Sequence, residues 1–238
     1  MQRYFAKVIN NEIKLGDDDV HHLLHVMRAR IKDEIEVVAD GKLYSGIIKE
    51  INPLKIIVNY EIPSDSEIGK EVTLFFALAK GDKIDFVIQK ATELGVTRIV
   101  LVKTERCVVK IDEKDFAKKL VRYEKIAKEA SEQCHRLVIP EIVGVIDIKD
   151  IPSSLLCDIN LLAYEKEAGK TSELLDKKNC GSVSILIGPE GGFSEKEVDL
   201  LKNKYKFETI SLGKRILRTE TAAVYALSVI SYLLEQLL

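Results

Sequence analysis

Ser184-Ile185-Leu186-Ile187-Gly188-Pro189-Glu190-Gly191-Gly192-Phe193-Ser194 and Thr209-Ile210-Ser211-Leu212-Gly213-Lys214-Arg215-Ile216-Leu217-Arg218-Thr219-Glu220-Thr221 are the two stretches on which the reading of this chain turns. Each starts as a short apolar run with the texture of a buried strand and then breaks into glycine ahead of a helix. In an α/β protein such breaks at strand ends build a ligand crevice. Two of them close together, one opening a helix and one leading into the last helix, suggest two walls of one pocket.

Three glycines in five residues let backbone groups approach a small molecule without Cβ atoms intervening, and Pro189 restricts one φ in the same turn. Ser194 with Glu197 has the spacing of a capping box and predicts a helix start. The loop is not a phosphate cradle. G-x-x-x-x-G-K-[ST] is absent, the glycines do not fit G-x-G-x-x-G, and Glu190 would repel a phosphate unless a metal lay between them. A ligand with an adenosine-like face and a positive centre suits it better, and S-adenosylmethionine has that description. A tight turn with a helix cap and no ligand is equally compatible with the glycines alone.

Outward from these loops, strands alternate with helices from Glu71 onward, which predicts an α/β unit with a largely parallel sheet. Strands are expected over Val72–Ala79, Arg98–Val102, and near 138–143, 159–164, 183–187 and 208–212. Asp82 is expected to cap a helix whose inner face carries Ile84, Val87, Ile88, Ala91 and Leu94 and which Gly95 ends. Phe116–Cys134 reads as a long helix. The preceding part is different: a strand at Gln2–Ile9, a helix near Asp19–Ala29, and short strands at Glu34–Ala39, Leu43–Glu50 and Lys55–Glu61, with Asp40-Gly41 as a hairpin turn. Residues 63–69 read as a linker.

A length of 238 residues allows one large domain or a modest one with a small partner. With 46% hydrophobic and 31% charged residues, the chain is expected to be a soluble globular protein. Its greasiest segment, Ala222 to Leu238, is interrupted by Ser228, Ser231, Glu235 and Gln236, so it reads as a buried or interface helix and not a membrane span. The N-terminus lacks a signal-peptide pattern. Cys107, Cys134, Cys157 and Cys180 are widely spaced without C-x-x-C and fit reduced thiols in the cytoplasm. A net charge of −2 gives no global argument for nucleic acid. Residues 98–140 are locally basic, eleven Lys or Arg against seven acids, as either an RNA-facing side or a helix laced with i, i+4 pairs would be.

Other constellations carry less. His21, His22 and His25 share one expected helix but lack H-E-x-x-H or a completing ligand, so no metal is expected. There is no G-x-S-x-G, and His135 is the only histidine of the α/β part, which speaks against a hydrolase. Arg218 and Glu220, before the final helix, fit an oxyanion stabiliser and a proton acceptor, or equally a structural pair.

Several ordered motifs together resemble one family. They are Lys80-Gly81-Asp82-Lys83 running to Ala91-Thr92-Glu93-Leu94-Gly95, Thr104-Glu105-Arg106, Glu132-Gln133 with Arg136, Ile187 through Ser194, and Leu212-Gly213 through Ala223, with Arg3-Tyr4-Phe5 and His21-His22-Leu23 with Val26-Met27-Arg28 upstream. This pattern is similar to the RsmE family, small-subunit ribosomal RNA uridine N3-methyltransferases of the SPOUT superfamily. The resemblance implies a PUA-like, RNA-binding β-barrel over 1–69. It implies a SPOUT-type parallel sheet with a C-terminal trefoil knot over 70–238, which the usual rule of unthreaded connections would not suggest. S-adenosylmethionine would be held by Ile187, Gly188, Pro189, Glu190, Gly191 and Gly192, by Leu212, Gly213, Ile216, Leu217, Arg218 and Thr221, and by Tyr164 and Glu165.

The resemblance also implies a cytoplasmic homodimer with the C-terminal helix at its interface, acting on 16S rRNA. Arg218 would stabilise charge on the uracil oxygens, and Glu220, Glu190 or a water relay would take the N3 proton. Arg3, Arg28, Gln133 and Arg136 would contact RNA. A SPOUT enzyme of other specificity, such as ribose 2′-O-methylation, and a non-catalytic RNA-binding assembly protein are the alternatives. The chain departs from the family in Cys107 and Cys134, where small hydroxyl residues are frequent, and in Lys32 and His135, where glycine is frequent.

Overall fold

A computed structural model describes residues 2–109, 113–166 and 180–235. The chain divides into two units, Met1–Glu67 with Ser131–Val138, and Ile68–Ala130 with Ile139–Leu238. The first unit therefore takes in residues 131–138, which the sequence reading assigns to the second.

The first unit is a six-stranded sheet of β1 (Arg3–Phe5), β2 (Lys7–Ile9), β3 (Glu12–Lys14), β4 (Glu34–Ala39), β5 (Lys42–Ile51) and β6 (Leu54–Ile62). The strand order is β1-β4-β5-β6-β3-β2. Only β1 and β4 run parallel; the other pairs are antiparallel. Asp40 and Gly41 both have positive φ, 50° and 74°, as a two-residue hairpin requires, and they set Ala39 opposite Lys42. The single strand expected over Gln2–Ile9 is two, because Ala6 breaks it and lets β1 pair with β4 while β2 pairs with β3. The helix expected over Asp19–Ala29 is α1 (Asp17–His21) followed by a π-helical turn, His22–Val26. Its widening is visible in the Met27 N–H donating to the His22 carbonyl, five residues back. Tyr4, Ile13, Leu23, Ile35, Val37, Ile48 and Ile56 form the core. Tyr4 donates to or accepts from His22 Nδ1 at 2.9 Å, and its phenol is pushed up to about 12 by burial, with Asp19 and Glu132 adding to the shift.

The second unit contains β7 (Glu71–Ala77), α2 (Lys83–Glu93), β8 (Arg98–Lys103), α3 (Glu113–Gln133, whose last three residues belong to the first unit), β9 (Glu141–Asp147), β10 (Ile159–Ala163), β11 (Ser182–Ile187), α4 (Glu195–Tyr205), β12 (Glu208–Ile210) and α5 (Thr219–Glu235). All six strands are parallel, in the order β12-β10-β11-β7-β8-β9. Leu74, Phe76, Ile99, Leu101, Ile185 and Ile187 belong to one apolar cluster with α2 and α5 residues such as Val87, Ile88, Ala223 and Leu227. Their strand neighbours Phe75, Val100, Val102 and Leu186 belong to another with Val198 and Leu201 of α4. Burial on both faces is why these strands read as unbroken apolar runs in place of alternation. Asp82 occupies the position before α2, but its side chain makes no capping bond. The helix ends as expected, with Gly95 at φ +83°. The last residues of the apolar C-terminal segment, 236–238, lie outside the described residues.

Lys32 and His135, two positions where the resembling family favours glycine, adopt φ +78° and +63°. A side chain in this left-handed region costs about 1–2 kcal/mol, which glycine avoids. Glycine gives part of that back through the entropy of the unfolded chain, about 0.4–1 kcal/mol. Lys32 is exposed, so little else is lost. Lys32→Gly is expected to stabilise the protein by about 0.5–1 kcal/mol, read as a higher urea midpoint at unchanged slope.

Candidate active site

The strand order reverses its direction of growth between β7 and β11: β8 and β9 are added on one side of β7, β10 and β12 beyond β11. In a parallel sheet this is where adjacent loops leave in opposite directions and open a crevice at the carboxyl ends of the strands. Three neighbouring strand ends release the predicted cofactor residues there. Tyr164 and Glu165 follow β10, residues 188–193 follow β11, and residues 211–218 follow β12.

The segments are tied to one another. The Tyr164 N–H donates to the Ile210 carbonyl at 3.0 Å. The Thr219 hydroxyl, at the start of α5, donates to the Gly188 carbonyl at 2.7 Å. Gly192, at φ +66°, closes a turn by donating its N–H to Pro189, and its missing Cβ would lie 3.3 Å from a Glu165 carboxylate oxygen. Gly188 and Gly191 have a packing reason: a Cβ at 188 would sit 2.7 Å from the Phe193 ring, and one at 191 would sit 3.2 Å from Arg106 Cβ. Ser194 and Glu197 form the expected capping box for α4, and buried Glu197 also accepts the Glu105 N–H at 2.7 Å.

Tyr164, Ile187 and Pro189 are buried, Leu212 and Leu217 partly so, while Glu165, Gly213, Arg218 and Thr221 are exposed. Ile216 is 92% exposed. Among the described residues the Arg218 guanidinium makes no ion pair.

Two residues to which no role was assigned from sequence join the site. Arg106, after β8, donates to the Gly191 carbonyl at 2.8 Å. Lys83, at the start of α2, places its ammonium 2.7 Å from Glu190 and 3.3 Å from Glu220. The hydrogen bond from Lys83 holds the Glu190 carboxyl below its usual range, and the bond to Glu190 raises Lys83. The pair is therefore intact across neutrality; it is lost when pH falls through the depressed Glu190 value or rises through the raised Lys83 value. Lys83 follows β7, the neighbour of β11, and Arg106 follows β8, one strand further; their place past the strand ends was the signal available in sequence.

In the first unit, Arg28 and Gln133 are exposed, whereas Arg3 and Arg136 are only 5% and 2% exposed. Arg3 pairs with Glu36 at 2.8 Å and donates to the His135 carbonyl. Arg136 pairs with Glu67 at 2.7 Å, and the same carboxylate accepts the Leu137 N–H. Both guanidinia are thus buried and ion-paired in the unit, Arg3 against Glu36 and the His135 carbonyl and Arg136 against Glu67.

A parallel sheet with glycine-rich loops gathered at its switch point defines an α/β protein with a small-molecule site. The RNA methyltransferase domain family matches residues 66–231, and the RNA methyltransferase PUA domain family matches residues 15–59. Ribosomal RNA small subunit methyltransferase E of Bacillus subtilis (strain 168) is 36% identical, over 100% of this chain and 98% of that protein. The protein of the same name from Buchnera aphidicola subsp. Schizaphis graminum is 34% identical, over 95% and 92%. The crystal structure of ribosomal RNA small subunit methyltransferase E from Neisseria gonorrhoeae, bound to S-adenosyl methionine, superposes with a TM-score of 0.85 at 30% identity, over 98% of both chains. The chain belongs to the RsmE family of RNA methyltransferases.

Because the Gly188–Phe193 contact builds the loop from within, Gly188→Ala is expected to cost about 1–3 kcal/mol of stability by overpacking. In a Phe193→Leu background the cost should shrink, a coupling that a double-mutant cycle of urea midpoints measures.

Proposed function

We propose that this protein transfers a methyl group from S-adenosylmethionine to N3 of a uridine in 16S rRNA. The observation that carries the reading is the convergence of residues 164–165, 188–193 and 211–218, which include the exposed Arg218, at three adjacent strand ends. The donor set fits the cofactor: the backbone amides and carbonyls of a loop with three glycines, apolar Ile187, Ile216 and Leu217 for an adenosine face, and the carboxylates Glu190 and Glu220 for a cation. Tyr164, Glu165, Ile187 to Gly192, Leu212, Gly213, Ile216, Leu217, Arg218 and Thr221 would hold it. When bound, S-adenosylmethionine supplies an electrophilic methyl on a sulfonium centre.

The chain's own residues do the rest. Uracil N3–H lies on the pairing edge, so the base must be unpaired or turned out to be reached. Loss of that proton leaves charge on the ring oxygens, which the exposed Arg218 is free to stabilise. Glu220 and Glu190 are the carboxylates assigned to accept the proton, directly or through water. Exposed Arg28 and Gln133 would contact RNA, with Arg3 and Arg136 acting through the segment they anchor.

The domain bounds 1–69, for RNA, and 70–238, for catalysis, belong to the same reading, as does the trefoil knot; the bond from Thr219 to Gly188 supports a last segment passing against the glycine loop. So does a homodimer. Phe86, Val224, Tyr225, Val229 and Tyr232 line an open apolar groove of about 710 Å³ on α2 and α5, a surface a second copy would cover. Among the described residues no helix is long and apolar enough to cross a membrane; the proposed work on ribosomal RNA would place the protein in the cytoplasm.

The test is methyl transfer from labelled S-adenosylmethionine to small subunits and to naked 16S rRNA lacking the modification, followed by nucleoside analysis. Label in N3-methyluridine is expected. Label in a 2′-O-methylated nucleoside would overturn the specificity, and RNA binding without turnover would leave an assembly protein. Arg218→Ala is expected to slow turnover about 100-fold while cofactor affinity stays within a few-fold; equal losses in both would make Arg218 a structural residue.

A further inference from the structure

The turn after β8 holds an arginine rigidly without giving it a counter-charge. The Cys107 N–H donates to the Thr104 carbonyl at 3.2 Å, which closes a four-residue turn with Glu105 and Arg106 at its centre. Such a turn leaves the N–H of its second residue without a partner. Here buried Glu197, in the first turn of α4, accepts it from Glu105 at 2.7 Å. Arg106 is exposed but not loose. Its Nη1 donates to the Gly191 carbonyl at 2.8 Å, and its stem packs on Gly191, where a Cβ would lie 3.2 Å from Arg106 Cβ and 3.5 Å from its Cδ. Arg98 and Arg122 of the same unit face the carboxylates of Glu141 and Asp85, whereas among the described residues Arg106 pairs with none. Glu190, beside Gly191, has its charge answered by Lys83 at 2.7 Å.

A guanidinium bonded to a neutral carbonyl keeps its full charge and most of its donors. Its planar fork matches a phosphate, and a side chain already held in place loses little further freedom on binding one. Position selects the ligand. The segments that would hold S-adenosylmethionine leave β10, β11 and β12, whereas the Arg106 turn leaves β8, on the other side of β11. Arg106 therefore reaches the glycine loop from the flank away from the remaining cofactor walls. We propose that Arg106 binds a backbone phosphate of the substrate RNA on that flank and so sets the target strand against the methyl donor. The inference rests on the proposed RNA methylation and deepens it, because it gives the catalytic unit an RNA contact of its own. Glu197 acts through the Glu105 N–H as the positioning residue of that contact.

The experiment compares the wild type, Arg106→Lys and Arg106→Met in methyl transfer to small subunits lacking the modification, at saturating S-adenosylmethionine, from about 50 mM to about 500 mM salt. Calorimetric titration of S-adenosylmethionine without RNA runs beside it, and melting curves confirm that each variant is folded. Arg106→Met should lower kcat/KM for the RNA about 10- to 100-fold at the lowest salt, as loss of a hydrogen bond to a charged group does, while cofactor affinity stays within a few-fold. One phosphate contact contributes a log–log salt slope of about 0.7–0.9, so the defect should shrink about five- to eightfold over this range. Arg106→Lys, which keeps the charge but not the fork, should show a smaller defect that salt leaves unchanged. No defect in Arg106→Met, or one independent of salt, would overturn the inference and leave Arg106 a brace for Gly191. So would a cofactor affinity that falls as far as kcat/KM, which would put the guanidinium on the methyl donor instead. A wild type that labels a nucleoside other than N3-methyluridine would correct the proposed specificity and leave this test in force. A wild type that binds the cofactor and labels no RNA would sink the proposed function and the inference together.

Discussion

The parallel pairing of β7 with β11 is the contact from which the second unit takes its form. Six consecutive residue pairs, Ser182 opposite Glu71 through Ile187 opposite Phe76, join two strands more than a hundred residues apart in sequence. Fully buried side chains fill both faces of this seam. Because both strands end at the same level, the turn carrying Lys83 and the loop carrying Glu190 emerge side by side. Strands on either side then extend away in opposite directions, leaving the gap between their loops that the glycines line. Slipping this register by one residue would exchange the two apolar faces and bring the wrong side chains to the crevice.

Much of this was legible in sequence because the signals were local. The apolar runs before Gly188 and Gly213, the Ser194/Glu197 cap, the Asp40-Gly41 hairpin and the helix ending at Gly95 each depend on a few adjacent residues. The elements misread were those decided by distant partners. Ala6 breaks the first strand because its two halves pair with different neighbours, and β3 is too short to show a period. The turn after α1 widens into a π-helical geometry that no residue type announces.

The site divides along the same line. Its loops were readable from glycine and proline placement, yet the reasons for the glycines were not. Phe193 and Arg106 occupy the space beside Gly188 and Gly191, so the same glycines would be needed for packing alone. Lys83 stands in one of the motifs but received no role, because the two carboxylates it pairs with lie far along the chain. Arg3 and Arg136 show the limit from the other side: a recognisable motif suggested nucleic acid for them, and the fold buries both and pairs them with Glu36 and Glu67. Burial of a guanidinium is a tertiary property, and nothing in a motif distinguishes an arginine that binds from one that braces.

The filling of the glycine loop by its own neighbours has a thermodynamic consequence. A loop stitched by Phe193, Arg106, Thr219 and the Pro189–Gly192 turn has already lost most of its backbone freedom before any ligand arrives. Association then carries little of the entropy penalty of ordering a chain. Its heat-capacity change should reflect the apolar surface the ligand itself covers and not the folding of a segment. Such a cradle is a rigid mould, and discrimination among ligands would come from fit and charge instead of from closure around them.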